Sequence, residues 1–138
     1  MLVENLGFTS SMPPFAESQG ENILNGVNYA SGAAGIRDET GKHLGDRISL
    51  NKQILNHKII ILRLRRLMRN NTETNLLLNR CIYSIQIGSN DYINNYFKPE
   101  FYGTSRLFNQ MQYATSLGHQ LSNQLKVIDT SSVSIKML

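Results

Sequence analysis

The sequence predicts an α/β fold with parallel strands, on three observations. The β-branched and aromatic run Cys81-Ile82-Tyr83-Ser84-Ile85-Gln86-Ile87 stops at Gly88 and is followed by three short polar residues, Ser89, Asn90 and Asp91. That is the pattern of a strand delivering a polar loop. A shorter alternation, Val27-Asn28-Tyr29, opens onto small residues, and a long amphipathic segment separates the two. The order strand, helix, strand, helix predicts parallel strands near 27–29 and 81–87, with the first long helix crossing between them.

Taken in order, Asn5-Leu6-Gly7 reads as a helix exit with Gly7 at the left-handed position, and Pro13-Pro14 forces extended backbone. Residues 26–35, Gly-Val-Asn-Tyr-Ala-Ser-Gly-Ala-Ala-Gly, let backbone approach a ligand or a second element closely. The glycine spacing fits neither a phosphate loop nor a dinucleotide fingerprint, and composition alone describes a tightly packed turn. Residues 37–47 are polar and charged, a surface loop. Ser49 caps a helix over 49–69, in which Leu50, Ile54, Ile61, Leu64 and Met68 keep helical spacing and Leu55, Ile59 and Leu62 widen the buried stripe.

Asn70-Asn71-Thr72 ends that helix in a turn and forms an N-glycosylation acceptor, meaningful only in the secretory pathway. Cys81, the one cysteine, falls in the expected strand and reads as a small buried hydrophobe. Residues 92–102 mix Tyr92, Tyr96, Phe97, Phe101 and Tyr102 with asparagines, a composition suited to a loop lining an apolar groove. A second helix is expected over 105–127, burying Leu107, Met111, Ala114, Leu117, Leu121 and Leu125, with His119 off the stripe and exposed. Residues 128–138 read as a divergent, disordered tail.

Composition, at 41% hydrophobic and 17% charged residues, describes a soluble globular domain. The longest aliphatic run, residues 59–62, is far short of the ~20 residues of a membrane-spanning helix, and no signal peptide is read in this chain. The net charge of +4 is concentrated on the helix over 49–69, with no aromatic stacking platform nearby, so nucleic acid is not an expected partner.

The residue best placed for chemistry is Asn90. Its amide carries two N–H donors on a short arm, and a donor fixed at a strand end can face charge developing on a substrate oxygen. The competing reading is a local turn in which Asn90 and Asp91 bond their own backbone.

Two stretches taken together carry a resemblance. Gly26-Val27-Asn28-Tyr29-Ala30-Ser31-Gly32-Ala33-Ala34-Gly35-Ile36 and Ile87-Gly88-Ser89-Asn90-Asp91-Tyr92 resemble the second and third conserved blocks of plant GDSL-type esterase/lipases, members of the SGNH hydrolases; Gly45-Asp46-Arg47-Ile48-Ser49-Leu50 and Arg80-Cys81-Ile82-Tyr83 are similar to linking segments of that family. The resemblance covers residues 1–127. It implies a partial SGNH-hydrolase (flavodoxin-like) three-layer α/β fold over 1–127, lacking the first-strand and C-terminal catalytic blocks. It also implies an ester hydrolase acting on acyl esters of lipids or small alcohols, a secreted location, and no cofactor or metal. Within the site it implies an oxyanion hole built from the Asn90 side chain and a backbone N–H at Gly35 or Gly32.

The departures are equally specific. No Gly-Asp-Ser-Leu occurs, since Gly45-Asp46-Arg47-Ile48 offers arginine where the nucleophile would stand, and no Asp-x-x-His occurs. The expectation is therefore a fragment that is inactive by itself, because turnover needs a group that attacks and one that shuttles protons. The alternative is a noncatalytic homologue that binds a lipid or a protein partner. Oligomeric state and acyl chain length are not encoded in any motif.

Overall fold

The computed structural model describes residues 11–129. The helix exit expected at Asn5-Leu6-Gly7 and most of the expected tail lie outside them. Three short 3-10 turns, Phe15–Glu17, Gly20–Asn25 and Lys42–Leu44, precede helix α1 (Leu50–Met68) and helix α2 (Asn71–Arg80). A single helical turn, α3 (Ser89–Asp91), runs into a wide π-type turn (Tyr92–Tyr96), followed by the one-turn α4 (Thr104–Leu107) and the long α5 (Gln110–Asp129).

The α/β expectation is overturned: among the described residues there is no strand and no sheet, only one isolated parallel bridge between Pro14 and Asn28. Phe15 N–H donates to Asn28 O at 2.9 Å and Asn28 N–H to Pro13 O at 2.9 Å, and the pairing goes no further. The three-layer arrangement with parallel strands near 27–29 and 81–87 is therefore absent. The reason is visible at 82–87. Burial alternates along this segment, with Tyr83, Ile85 and Ile87 half-buried and Ile82, Ser84 and Gln86 exposed. The pattern that predicted a strand is real. A ladder, however, needs a neighbour to exchange N–H···O=C bonds, and among the described residues no main-chain group bonds to this segment.

Helix α1 starts after Ser49, as expected, but the serine side chain makes no cap bond. The helix closes at Arg69, whose φ of 54° places a non-glycine residue in the left-handed region. Its buried face is Leu50, Ile54, His57, Ile60, Ile61 and Leu64. The wider stripe does not hold, since Leu55, Ile59 and Leu62 are exposed. Helix α2 replaces the expected turn. Asn70 caps it by accepting from Thr72 N–H at 2.9 Å and Glu73 N–H at 3.2 Å, satisfying donors that have no intrahelical partner. Cys81, at its end, is exposed rather than buried.

The expected helix over 105–127 is broken in two. Phe108 is extended, and Asn109 restarts the chain with a reciprocal capping box: Gln112 N–H donates to Asn109 Oδ1 at 2.9 Å and Asn109 N–H to Gln112 Oε1 at 3.0 Å. The restart rotates the buried face. Leu107 and Met111 are exposed, whereas Tyr113, Leu117, Gln124, Leu125 and Ile128 are buried; His119 is exposed, as expected.

Three apolar clusters hold these pieces together. One joins Ile23 to Ile60, Ile61 and Leu64 of α1 and Leu78 of α2. Another joins Leu50 and Ile54 of α1 to Leu125 and Ile128 of α5, with Ile85 and Ile87 laid against it. The third, Ile36, Tyr96, Tyr113 and Leu117, sits under the segments that carry the candidate site. No helix among the described residues is long and apolar enough to cross a membrane.

Candidate active site

Gly88 turns the chain out of the extended segment with a φ of 123°, a conformation that L side chains rarely adopt, and α3 starts at once. This places Asn90 and Asp91 against residues 34–37. The Asn90 side chain does not bond the backbone of its own turn. Its Nδ2 donates to Ala34 O at 2.9 Å, and its Oδ1 accepts from Asn94 Nδ2 at 2.8 Å. A carbonyl can only accept, so Ala34 fixes which end of the amide is nitrogen, and one of the two Nδ2 hydrogens stays uncommitted.

Asp91 is fully buried. Its Oδ2 accepts from Ile36 N–H at 2.8 Å, and its Oδ1 accepts from Arg37 N–H at 3.1 Å and from Thr40 Oγ1 at 2.7 Å. Thr40 in turn accepts from Asn95 Nδ2 at 3.1 Å, and Asn95 Oδ1 accepts from Thr104 Oγ1 at 2.6 Å. From α5, Tyr113 donates its hydroxyl to Asp91 O at 3.1 Å, while Gln120 and Gln124 both donate to Ile36 O at 3.0 Å. The junction is thus a buried polar network in which side chains satisfy backbone groups that no sheet satisfies.

The two candidate glycines are in opposite surroundings. Gly35 is buried, and a Cβ there would lie 2.5 Å from Asp91 Oδ1 and 2.5 Å from Thr40 Cγ2. Its lack of a side chain is what lets Asp91 reach the neighbouring amides. Gly32 is exposed, with nothing within 4 Å of the position a Cβ would take. Between them Ala33 takes the left-handed conformation, φ 60°, and packs its carbonyl against Gly41, where a Cβ would meet that oxygen at 2.3 Å.

The histidines stand elsewhere. His57 is only 8% exposed and accepts or donates at Nδ1 to the Tyr29 hydroxyl, 3.0 Å away, with Tyr29 and Tyr83 edge-on to the ring. Burial pulls its pKa down to about 4, so the ring is neutral at pH 7, and Nε2 is buried without a partner. His43 pairs through Nδ1 with the Tyr102 hydroxyl at 2.9 Å and stacks on Phe101. No histidine among the described residues is hydrogen-bonded to a serine. Arg47 bonds Thr40 O through Nε at 2.7 Å and Asp38 O through Nη2, and so ties down the 38–40 backbone. Among the described residues no group of three or more His, Cys, Asp or Glu gathers as a metal site would. A groove of about 620 Å³ between α1 and α5, lined in part by Asn51, Leu55, Lys58 and Gln120, includes none of Asn90, Gly32 or Gly35.

Sequence reasoning singled out Asn90 and the glycine-rich stretch and placed Asp91 in the same polar loop, but missed Thr40, Asn95 and Tyr113. An aspartate and an asparagine spaced four apart on a helical turn, Asp91 and Asn95, put two short polar arms on one face. That spacing was the available signal.

Comparison with known proteins bears directly on this junction. The family model described as GDSL-like Lipase/Acylhydrolase matches residues 1–136. Two GDSL esterase/lipases of Arabidopsis thaliana are 44% identical over 95% of this chain and 46% identical over 93% of it, covering 36% and 35% of their own lengths. GDSL esterase/lipase 7 of the same plant is 50% identical over 83% of this chain and 32% of its own length. The chain spans about a third of the length of the curated relatives it matches. No solved structure matches it significantly.

Proposed function

This chain belongs to the GDSL-like lipase/acylhydrolase family, and from that premise we propose that it carries the oxyanion-stabilising part of an ester hydrolase that acts on acyl esters of lipids or small alcohols. The observation that carries the reading is the hydrogen bond from Asn90 Nδ2 to Ala34 O. It joins the two matching blocks, orients the amide and leaves one N–H to meet an oxyanion. Between the two glycines, exposure favours Gly32 as the backbone donor, while Gly35 is buried with its α-carbon packed against Asp91 and Thr40. Two preorganised donors stabilise a tetrahedral intermediate more than its planar ester, which is the condition for accelerating the reaction.

Attack and proton transfer are not supplied by these residues. Ser89, next to the amide donor, has no histidine hydrogen-bonded to it, His57 and His43 being paired with Tyr29 and Tyr102. The 138-residue chain is therefore expected to leave a chromogenic short-chain ester unhydrolysed. In a complete relative, Asn→Ala at the position matching Asn90 is expected to lower kcat about a hundredfold with the fold intact, the effect of removing one oxyanion donor. Robust hydrolysis by the purified chain, abolished by replacing a serine within it, would overturn this reading.

A secreted location is part of the same proposal. Asn70, Asn71 and Thr72 are all exposed, and the cap uses only Asn70 Oδ1, so Nδ2 is available to a glycan. Expressed behind a leader peptide in a eukaryotic host, the chain is expected to lose mass on glycosidase treatment, and Asn70→Gln is expected to abolish that change. A noncatalytic, partner-binding homologue is the competing reading; saturable binding of acyl-ester vesicles that survives Asn90→Ala would favour it.

A further inference from the structure

We propose that Asp91 is the positioning residue of the oxyanion site, a single buried carboxyl group that sets the register between the Gly32 loop and the Asn90 amide. The inference rests on the oxyanion reading above and adds to it the residue that ties the backbone after Gly32, at Ile36 and Arg37, to the turn that carries Asn90.

Adjacent residues on one helical turn reach adjacent stretches of the facing loop. Asn90 takes the carbonyl of Ala34, and Asp91 takes the N–H groups of Ile36 and Arg37. Any slip of the loop along α3 would break all three bonds together. Gly35 lies at the crossing point, where a Cβ would overlap the Asp91 carboxyl at 2.5 Å. Asp91 itself cannot act on substrate, since it has no exposed surface and both of its oxygens are taken. Nor is it hydrogen-bonded to any histidine, as the aspartate of a catalytic triad would be.

The chemistry also explains why a carboxyl group stands here. Three donors converge on two oxygens, Ile36 N–H on Oδ2 and both Arg37 N–H and Thr40 Oγ1 on Oδ1. An asparagine has the same shape but sets an NH2 against at least one of these N–H groups, whichever way its amide is turned. A glutamate adds a methylene where Gly35 and Thr40 already sit at contact. The site therefore requires an acceptor on both arms at aspartate length. The brace continues through Thr40, Asn95 and Thr104 and is fixed on the far side by the Tyr113 hydroxyl on the Asp91 carbonyl.

The test uses the 138-residue chain labelled with nitrogen-15 and titrated with sodium acetate as an oxyanion mimic, against sodium chloride as the ionic-strength control. In the unaltered chain the Asn90 side-chain amide and the Gly32 N–H are expected to shift together with one dissociation constant. In Asp91→Asn that shared response is expected to weaken at least tenfold, while amides of the apolar clusters, such as Ile61 and Leu117, keep their positions. Thr40→Val removes one donor and leaves both backbone bonds to Asp91, so a smaller loss of two- to threefold is expected. If Asp91→Asn fails to fold, Thr40→Val decides alone, and an unchanged acetate response there overturns the proposal. An unaltered chain in which neither Asn90 nor Gly32 responds to acetate overturns the oxyanion reading and this inference with it. Equal responses in the unaltered chain and in folded Asp91→Asn overturn the positioning role only.

Discussion

Two neighbouring regions of this molecule solve the same problem in opposite ways. Residues 34–41 are irregular, yet much of their backbone finds a partner in a side chain: Asn90 for Ala34, Asp91 for Ile36 and Arg37, Arg47 for Thr40, and glutamines of α5 for the Ile36 carbonyl. Residues 82–87 alternate in burial as a strand would, yet their backbone has no main-chain partner among the described residues. Hydrophobic alternation places side chains; it does not supply hydrogen bonds. Short polar side chains at a crossing can supply them without any sheet.

The largest expected effect breaks the first region. Asp91→Ala leaves two backbone N–H groups and a threonine hydroxyl buried without an acceptor, so it is expected to cost about 3 to 5 kcal/mol. Chemical denaturation checks this, and a loss below 1 kcal/mol would mean that water replaces the carboxyl group. On the apolar side, acid is the probe. The folded pKa of His57, about 4, lies below its ordinary 6.5, so its neutral form contributes stability that is complete above pH 6.5 and is lost as pH falls through 4. The full loss is about 3 kcal/mol at most. His57→Phe should flatten the stability profile between those pH values, and an unchanged acid slope would show that other groups set it.

Smaller effects sharpen the contrast. Gly35→Ala must displace Asp91 or Thr40 and is expected to cost about 2 kcal/mol. Asn70→Ala removes the cap of α2 and should cost about 1 kcal/mol, read as a lowered thermal midpoint. Ile82→Lys, on the exposed side of the extended segment, should change stability by less than about 0.5 kcal/mol. Hydrogen exchange separates the two regions directly. The amides of Ile36 and Arg37 should be protected while those of 82–87 exchange with the fastest groups, and protection of 82–87 would reveal a partner for them.

What the sequence disclosed follows the same division. Helix α1 was legible because Leu50, Ile54, Ile61 and Leu64 share a face, and the turn that carries Asn90 was legible because a glycine followed by a polar cluster ends an apolar run. The sheet was misread because Tyr83, Ile85 and Ile87 encode only which side faces the core. Helix α2 and the break before α5 were hidden in caps, Asn70 with Glu73 and Asn109 with Gln112, which outweighed the run of hydrophobic spacing through Leu107 and Met111. The partners of Asp91 were hidden because they are 51 to 55 residues away in sequence, and no local pattern marks a bond of that span.

Tyr113 has a consequence of another kind. The chain has no tryptophan and six tyrosines, and Tyr113 is buried completely, stacked on Tyr96 at 5.1 Å and edge-on to Tyr92 at 5.3 Å. Three phenol chromophores held at fixed angles couple their transitions, so the ring cluster beneath Asp91 is expected to contribute to the near-ultraviolet circular dichroism of this protein. Far-ultraviolet ellipticity follows the long helices instead, and the two wavelength ranges thereby give separate optical views of the junction and of the scaffold in a single unlabelled sample.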